Sequence, residues 1–371
     1  MSETKVLLDL IQKTLDDFCD AKRLEFEAIS PDLVPLVDYT KNLLAGGKRF
    51  RALFAYWAWA GSIEKSDLSL SEIQLQNSAQ GMVGICAALE MFHAAALVHD
   101  DLLDQSDTRR GQPAVHKRFE ALHLENSWAG SAERFGIAGS VLVGDLMLGW
   151  SSEIFGRALH FSPNYDLEKD CRAEFSKMRV EVMAGQYLDV VEENAAITRA
   201  PEEAVSRANR VMLYKTAKYS IEAPMLIGAA FAGASSGVKR SLSAFGIPLG
   251  MAFQLKDDIL GVFGDPAVTG KPAGDDLREG KRTVLIGYTR EALSNSVGKL
   301  FDELLISREL DHDQIKFLQQ TISGCGALAK TEKLMSELAD QSLEALSVLD
   351  IGAEAKKQLE GLAQKVINRD A

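Results

Sequence analysis

Apolar residues recur three and four positions apart along most of the chain, and this spacing predicts helices. An example near the N-terminus is the series Leu7, Ile11, Leu15 and Phe18. No proline occurs between Pro35 and Pro113 or after Pro272, so long stretches of good helix formers run uninterrupted. Alternating strand patterns flanked by turn dipeptides are scarce. The pattern therefore predicts an all-α protein.

Three segments are apolar nearly all round, namely 81–98, 137–150 and 223–254. A helix without a polar face is usually central in a large bundle, so we expect amphipathic helices from near both ends to surround these three. No linker, low-complexity tract or internal repeat interrupts the pattern. We therefore predict one domain spanning residues 1–371, a single-domain helical bundle around a central cavity.

Composition and charge exclude several classes of function. Of the 371 residues, 46% are hydrophobic and 25% are charged, which is typical of a globular enzyme. The net charge of −12 argues against a nucleic-acid binder and against docking on anionic lipid. The four cysteines form no CxxC pair, as expected of buried thiols in a reducing compartment. An acidic N-terminal segment and the lack of a long uncharged run predict a cytoplasmic protein without a membrane span.

The stretch "LVHDDLLDQSDTRRG" ends the first apolar segment with a group of carboxylates. Asp100 and Asp104 lie four positions apart and would share one face of a helix, with Asp101 beside the first. Carboxylates this close oppose each other's ionisation, and a divalent cation removes the conflict. Magnesium prefers oxygen ligands and is usually held by one or two carboxylates together with substrate phosphates. The alternative is a solvated acidic helix end, which a preceding apolar run makes less attractive.

A second acidic pair, Asp257 and Asp258, lies in "FQLKDDILGVFGD", also toward the end of an apolar segment. The position four after Asp257 is Gly261 rather than an acid. Two acidic helix ends that face each other would hold several metal ions from two sides, as phosphate chemistry often requires. We expect both clusters at the mouth of one cavity.

Four basic elements accompany the acids. Arginine offers a fork of donors for phosphate oxygens, and glycines before a helix let backbone N–H groups approach an anion. These elements are "GGKRFR" with Gly47, Lys48 and Arg51; "SDTRRGQ" with Arg109 and Arg110; "LYKTAKYS" with Lys215 and Thr216; and "TGKPAGDDLREGKRT" with Lys271 and Lys281. We expect the acids to bind magnesium, and the metal and the basic side chains to bind a diphosphate. The apolar helices would then surround a hydrocarbon group attached to that diphosphate.

In this order and spacing, and together with "AGQYLD", the motifs resemble those of the trans-polyprenyl diphosphate synthases, the farnesyl and geranylgeranyl diphosphate synthase family. The resemblance covers about residues 40–290 and leaves 291–371 as C-terminal helices. It implies an isoprenoid synthase bundle, a homodimer, and three Mg²⁺ ions for which Mn²⁺ can substitute. It also implies a prenyltransferase that joins isopentenyl diphosphate head-to-tail to dimethylallyl, geranyl or farnesyl diphosphate. The implied reaction is ionisation of the allylic diphosphate, condensation, and loss of a proton to the released diphosphate.

The resemblance also assigns roles by position. It implies metal ligands at Asp100, Asp104 and Asp257, with Asp101 and Asp258 in the same clusters. It implies an allylic diphosphate site formed by Arg109, Lys215 and Lys271, with Thr216 and Gln254 at the reacting carbons and Lys281 in the closing loop around 264–282. It implies an isopentenyl diphosphate site formed by Gly47, Lys48, Arg51, His93 and Arg110. Gly261 departs from the family pattern and puts outer support of the metal in doubt.

Product length depends on the helix that precedes Asp100. Short-product members of the family carry an aromatic residue four or five positions before the first aspartate, where this chain has Ala96 and Ala95. One turn deeper lies Phe92, and a helical turn of about 5.4 Å is comparable to one isoprene unit. We therefore predict that Phe92 stops the product near geranylgeranyl diphosphate. The alternative is that Phe92 is ordinary core packing.

Other functions stay open at this point. A longer-chain polyprenyl or a farnesyl diphosphate synthase would differ only in product. A terpene cyclase would share the aspartates but would not need "GGKRFR". A non-catalytic subunit of a heteromeric synthase usually loses one acidic motif, and Gly261 keeps this alternative open. A purely structural helical protein would not require this ordered set of charges.

Overall fold

The computed structural model describes residues 3–66, 68–265, 274–307 and 310–368. Apart from one two-residue hairpin and short 3₁₀ turns, the regular elements in these ranges are helical, which confirms the predicted all-α class. The chain divides into two compact units, one comprising Met1–Tyr56 and Asp67–Glu168, the other Trp57–Ser66 and Lys169–Ala371. That the two units form a single domain stays a prediction.

The described part of the chain up to residue 195 contains seven α-helices of 11 to 32 residues and one short hairpin. They are α1 Glu3–Ile29, α2 Val34–Leu44, α3 Phe50–Glu64, α4 Glu72–Leu103, the hairpin strands β1 Thr108–Arg109 and β2 Gln112–Pro113, α5 Val115–Glu125, α6 Ala132–Leu159 and α7 Tyr165–Ala195.

The remaining elements are mostly shorter. They are α8 Ala204–Val211, a π-helical segment Met212–Glu222, α9 Ala223–Phe231, α10 Ser236–Phe263, α11 Asp275–Glu279, α12 Val284–Ala292, α13 Asn295–Ser307, α14 His312–Gly324, α15 Ala327–Ser347 and α16 Ala353–Ile367, with 3₁₀ turns at Pro31–Leu33, Ala196–Thr198 and Pro201–Glu203.

In the first unit α4 packs along α6, and small residues set the distance between them. A side chain at Gly84 would collide with Ala158, and the Ser151 hydroxyl donates a 2.7 Å hydrogen bond to the Ala88 carbonyl oxygen. The start of α4 is fixed by a reciprocal cap between Ser71 and Gln74, which satisfies the first N–H groups of the helix. Its other end, with Asp104 as the C-cap, carries the first aspartate cluster.

In the second unit α10 is central. It packs on α15, where the Ser342 hydroxyl donates a 2.9 Å hydrogen bond to the Phe245 carbonyl oxygen, and on the π segment. The close approach to the π segment depends on Gly250, since a Cβ there would lie 2.5 Å from the Cα of Ala217. Helix α10 also joins α11 to α15 in a hydrophobic core cluster around the buried side chains Val262, Leu285, Phe301 and Leu318.

Two of the three apolar segments are buried as predicted: 81–98 lies in α4, and 223–254 lies in α9 and α10. The third, 137–150, lies in α6 and is partly exposed. Within the described chain, α6 leaves Ile137, Val141 and Leu142 exposed, at 41%, 39% and 57%. Two described helices, α4 and α6, are long and apolar enough to cross a membrane by length and composition alone. Their most apolar windows are 72% and 39% buried, and a core helix of a folded protein passes the same test. The face of α6 is therefore apolar but uncovered in the single chain.

Candidate active site

The last turns of α4 present a continuous, partly exposed stripe. It consists of His93, Ala96, Leu97, Asp100 and Asp104, spaced three and four apart as one helical face requires. The neighbouring positions Phe92 and Ala95 are buried at 1% and 0% exposure. Asp100 and Asp104 therefore both face outward on the same side of α4, as the sequence predicts.

Asp101 has a different environment from the two aspartates beside it. Its side chain is 2% exposed, and its Oδ1 accepts hydrogen bonds from both Nε and Nη2 of Arg109, the first at 2.7 Å. Burial alone would lower the pKa of Arg109, but the hydrogen bond to Asp101 and the charges of Asp101, Asp100 and Asp104 outweigh it and raise that pKa. Asp101 thus anchors Arg109 beside the outward carboxylates, whereas the sequence grouped it with the metal ligands.

A tight hairpin delivers the two arginines that follow the cluster. Strand β1 pairs with β2 in antiparallel register, Arg109 opposite Gln112, and both central residues, Arg110 and Gly111, have positive φ values of 53° and 73°. Two positive φ values are the signature of a type I′ turn, for which a glycine at the second position is favourable. The turn holds Arg109 toward Asp101 and leaves Arg110 exposed.

The "GGKRFR" loop lies next to this hairpin. A Cβ added to Gly47 would be 3.2 Å from Nη2 of Arg110, which shows that the two predicted elements of the isopentenyl site meet here, and the φ of 96° at Gly47 favours glycine. Gly46 and Gly47 both have positive φ, and α3 starts directly after the loop at Phe50. Lys48 is exposed and Arg51 is partly buried.

Arg49, to which the sequence analysis gave no role, holds this loop in place. It has a left-handed backbone with φ 53° and is 8% exposed. Its guanidinium donates to Glu90 at 3.2 Å, to Gln12 at 2.7 Å and to the Leu44 carbonyl oxygen. The sequence did contain a signal for this contact, because Glu90 is the single acid in the apolar run of α4 and a buried carboxylate requires a partner.

His93 lies on the α4 stripe and is surrounded by cations. Withdrawal of its ring from water lowers its pKa well below the usual value, and the charges of Arg51, Arg110, Arg109 and Arg49 lower it further. His93 is therefore neutral at pH 7. The predicted isopentenyl-site residues of the first unit are accordingly brought together, with an uncharged imidazole near the arginines.

In the second unit the π segment carries Lys215 and Thr216. Gly185 of α7 lets this segment approach closely, since a Cβ there would lie 2.4 Å from the backbone nitrogen of Lys215. The Lys215 ammonium donates to Asp189 at 2.6 Å. Lys281 reaches the same carboxylate at 3.6 Å and donates to Glu193 at 2.9 Å. The aspartate of "AGQYLD" is thus a shared partner of two predicted diphosphate lysines.

A hydrogen-bonded chain links the π segment to α10. The Thr216 hydroxyl donates to Gln254 Oε1 at 2.7 Å, and Gln254 Nε2 donates to Asp258 Oδ1 at 2.7 Å. Asp258 is 4% exposed, and its burial raises its pKa well above the usual value. The Gln254 hydrogen bond opposes that rise, and the charges of Asp276, Asp257 and Asp189 add to it. Asp257 is partly exposed, so the pair again divides into an outer and a buried carboxylate.

The place of the missing third aspartate is filled from another element. A Cβ built on Gly261 would lie only 2.1 Å from Oδ2 of Asp276, the second residue of α11. A carboxylate therefore stands directly over Gly261. Lys271 lies outside the described residues.

Three comparisons with known proteins bear on these motifs. The model of the polyprenyl synthetase family matches residues 35–322. This chain belongs to the polyprenyl synthetase family. The geranylfarnesyl diphosphate synthase of Aeropyrum pernix is 28% identical over 93% of this chain and 97% of its own length. The geranylgeranyl diphosphate synthase of Sulfolobus acidocaldarius is 29% identical over 89% and 91%.

A solved structure of this family is similar over nearly the whole chain. It is geranylgeranyl pyrophosphate synthase from Corynebacterium glutamicum, complexed with isoprenyl diphosphate and magnesium, and it is 34% identical with a TM-score of 0.88. The match covers 98% of each chain. The predicted isoprenoid synthase fold is confirmed, and this member of the polyprenyl synthetase family is a trans-prenyltransferase.

Proposed function

We propose that this prenyltransferase condenses isopentenyl diphosphate with allylic diphosphates and releases geranylgeranyl diphosphate as its main product. The observation that carries the product assignment is the α4 stripe, in which small Ala96 is partly exposed directly above the buried ring of Phe92. Similar proteins named as geranylgeranyl diphosphate synthases support it. A geranylfarnesyl product is the second candidate, since the Aeropyrum pernix relative carries that name.

The residues fit magnesium held jointly with a substrate diphosphate. Among the described residues, no group of three or more His, Cys, Asp or Glu side chains is arranged to hold a metal by itself. Asp100 and Asp104 nevertheless offer outward carboxylates on one helical face, and Asp257 offers another. One or two carboxylates plus phosphate oxygens is the ligand set that Mg²⁺ prefers. Bound Mg²⁺ would neutralise the charge that develops on the departing diphosphate.

The side chains of this protein would bind and orient the allylic substrate. Arg109, fixed by Asp101, has its donor fork beside Asp100, with Nη2 3.8 Å from Oδ2 of that carboxylate. Lys215 is held by Asp189, and the family resemblance predicts that it also binds the allylic diphosphate. Donors held in place before the reaction stabilise the leaving group without reorganisation. Lys271 and Lys281 remain predicted members of this site.

The isopentenyl substrate would be held by the "GGKRFR" loop and the hairpin. Lys48 and Arg110 are exposed cations and Gly47 allows the loop to approach Arg110 closely. A neutral His93 can donate one hydrogen bond to a phosphate oxygen without adding charge. Thr216 orients the Gln254 amide, which is predicted to face the reacting carbons.

The function is tested by incubating the protein with Mg²⁺, radiolabelled isopentenyl diphosphate and each allylic primer in turn. We expect a twenty-carbon product from dimethylallyl, geranyl and farnesyl primers, resolved by chromatography. No incorporation with any primer would contradict prenyl transfer, and a twenty-five-carbon product would favour the second candidate.

The chain-length assignment is tested by Phe92→Ala, which should lengthen the product by at least one isoprene unit. Met91→Ala is the matched control, because Met91 is equally buried but points about 100° away around the helix. If both variants keep the wild-type product length, Phe92 is not the floor of the pocket.

Self-association and location also belong to this proposal. The exposed apolar face of α6, defined by Ile137, Val141 and Leu142, supports a homodimer, since a face of this kind is usually covered by a partner. Light scattering after size-exclusion chromatography would measure the mass. A cytoplasmic location stays a prediction from the sequence.

A further inference from the structure

The second unit contains a cavity of about 390 Å³ that the residues discussed so far do not line. The end of α7, the two 3₁₀ turns that follow it, α8, α12 and α13 enclose it. Its polar lining is Glu192, Arg199, Arg207, Arg282, Thr283, Arg290, Lys299, Asp302 and Glu303. A volume of this size is within the range of small-molecule sites.

The lining carries more positive than negative charge, with five cations against three carboxylates. Two of those carboxylates are each shared by two guanidinium groups. Glu192 accepts from Arg199 at 2.5 Å and from Arg207 at 2.9 Å. Arg207 also donates to Glu203, outside the lining, at 3.3 Å, so the five cations face four carboxylates and one positive charge remains in excess.

Asp302 repeats this arrangement on the other side of the cavity. It accepts from Arg282 at 2.9 Å and from Arg290 at 2.8 Å. Arg290 reaches it across Gly298, where any side chain would collide with the guanidinium. The side chain of Arg282 is 9% exposed, and its Nε has no hydrogen-bond partner among the described residues. A buried donor without a partner is unfavourable and indicates that the cluster lacks an acceptor.

Lys299 adds a further cation, one helical turn before Glu303 on the same helix. It lies on α13 at the cavity lining, it is exposed, and it forms no ion pair within the described residues. In a chain with a net charge of −12, this local excess of cations is unusual. Arginine forks and a lysine together are the side chains that recognise phosphate groups.

The rest of the wall is apolar. It is formed by Ala196, Ile197, Pro201, Ala204, Ile286, Gly287 and Ile306. Ile197 and Ile306 are 59% and 46% exposed, so hydrocarbon surface is open to a ligand beside the cations. An inorganic ion would leave this surface in water, whereas a ligand with a short hydrocarbon chain would cover it.

We propose that this cavity binds a phosphate or diphosphate ester with a short hydrocarbon chain, at a site separate from the residues assigned to catalysis. Arg282 directly follows Lys281, and Glu192 directly precedes Glu193, the partner of Lys281. A ligand held by Arg282 is thus one residue away from a predicted diphosphate lysine. The proposal does not depend on which product the enzyme releases.

The test uses the full-length protein labelled with ¹³C at isoleucine δ1 methyl groups, in the absence of divalent cations. Ile197, Ile286 and Ile306 report from the cavity wall and are assigned through Ile→Val variants. The probes are isopentenyl diphosphate, inorganic diphosphate and isopentenol. We expect saturable shifts of the three methyl signals with isopentenyl diphosphate, weaker binding of inorganic diphosphate, and no saturable shift with isopentenol.

Charge variants separate this cavity from the substrate site. Lys299→Glu should weaken binding at the three methyl groups about tenfold or more, which corresponds to about 1.4 kcal/mol. The matched control is Lys316→Glu, an exposed lysine in α14 outside the cavity, which should leave the affinity within about twofold. Arg290→Gln is the second variant and should also weaken binding.

Prenyl transfer by the wild type, with Mg²⁺ and each allylic primer, is measured separately, so that failure of the proposed function is distinguished from failure of the cavity proposal. The cavity proposal is overturned if the three methyl groups show no saturable shift. It is also overturned if Lys299→Glu and Arg290→Gln, both shown to be folded, bind the diphosphate ester as tightly as the wild type does.

Discussion

The two aspartate clusters divide their carboxylates in the same way but support them differently. In each, one carboxylate is buried and fixed by a partner while others remain accessible, Asp101 beside Asp100 and Asp258 beside Asp257. Arg109, a charged group, fixes Asp101, whereas Gln254, a neutral amide, fixes Asp258. The first cluster thus orients a cation, Arg109, that is predicted to bind the diphosphate, and the second orients an amide, Gln254, that is predicted to face the reacting carbons.

The clusters differ again at the third acidic position. Asp104 ends α4 four positions after Asp100, while α10 has Gly261 at the equivalent place and receives the carboxylate of Asp276 from α11. The third carboxylate of a cluster can therefore come from the same helix, as Asp104 does, or from a neighbouring helix, as Asp276 does. A sequence motif along one helix detects only a carboxylate that belongs to that helix.

The largest expected effect is on activity. It should be greater in the first cluster than in the second, because the first is predicted to hold more metal ions. Asp100→Asn should lower kcat/KM about a thousandfold and Asp257→Asn about a hundredfold, because Asp100 and Asp104 would serve two ions and Asp257 one. Steady-state kinetics over a range of Mg²⁺ concentrations measures this. Asp313→Asn, at an exposed position in α14, is the control. A larger loss for Asp257→Asn than for Asp100→Asn would contradict this order.

The next effect is on stability and compares the two buried carboxylates. Asp101→Asn removes the charged group that holds Arg109 and leaves Asp100, 3.8 Å away, as its remaining ion-pair partner, so it should lower the free energy of unfolding by about 2 kcal/mol. Asp258→Asn keeps an oxygen acceptor for Gln254 and should change it by less than about 1 kcal/mol. Urea unfolding of both variants checks the difference. Equal losses would show that the two partners are equivalent in strength.

A smaller effect is expected from restoring the family's third aspartate. Gly261→Asp would force a side chain into the carboxylate of Asp276 and should cost about 2 kcal/mol of stability through overpacking and like-charge repulsion. Combining it with Asp276→Ala removes the obstacle, so the double variant should recover most of the loss. A double-mutant cycle measures this coupling. If Gly261→Asp alone is as stable as wild type, Asp276 does not occupy that space in solution.

The smallest expected effect concerns the chain from Thr216 to Asp258. Thr216→Ala removes the hydroxyl that donates to Gln254 and should cost about 1 kcal/mol of stability. Thr216→Ser keeps the donor and is the control. Thermal unfolding measures both, and an equal loss in the serine variant would point to the methyl group rather than to the hydrogen bond.

Local sequence patterns were sufficient to predict the helices and the outward carboxylates. The spacing of Asp100 and Asp104 places them on one face of any helix, whatever surrounds it. The apolar run 81–98 predicted the central part of α4, while the observed helix begins at Glu72, where Ser71 and Gln74 form its cap. The nine residues 72–80 form about two and a half further turns, whose start is marked by the cap and not by the apolar run.

The parts that were missed depend on contacts between distant segments. Asp189 is 26 residues from Lys215 in the chain, so its role as partner of that lysine and of Lys281 follows only from the packing of α7. The π segment likewise depends on Gly185 and Gly250 from two other helices. The sequence also grouped Asp101 with Asp100, because it does not show which of two adjacent carboxylates turns toward Arg109.

The end of α4 has a consequence for the energetics of the folded protein. Three aspartates lie at the C-terminal end of this helix, where the backbone dipole is already negative and no basic residue is present in the last turn. This arrangement of charges opposes folding. A divalent ion should therefore raise the melting temperature of the resting protein, and neutral substitution of the outward Asp100 or Asp104, unlike that of the buried Asp101, should raise thermal stability while it lowers activity.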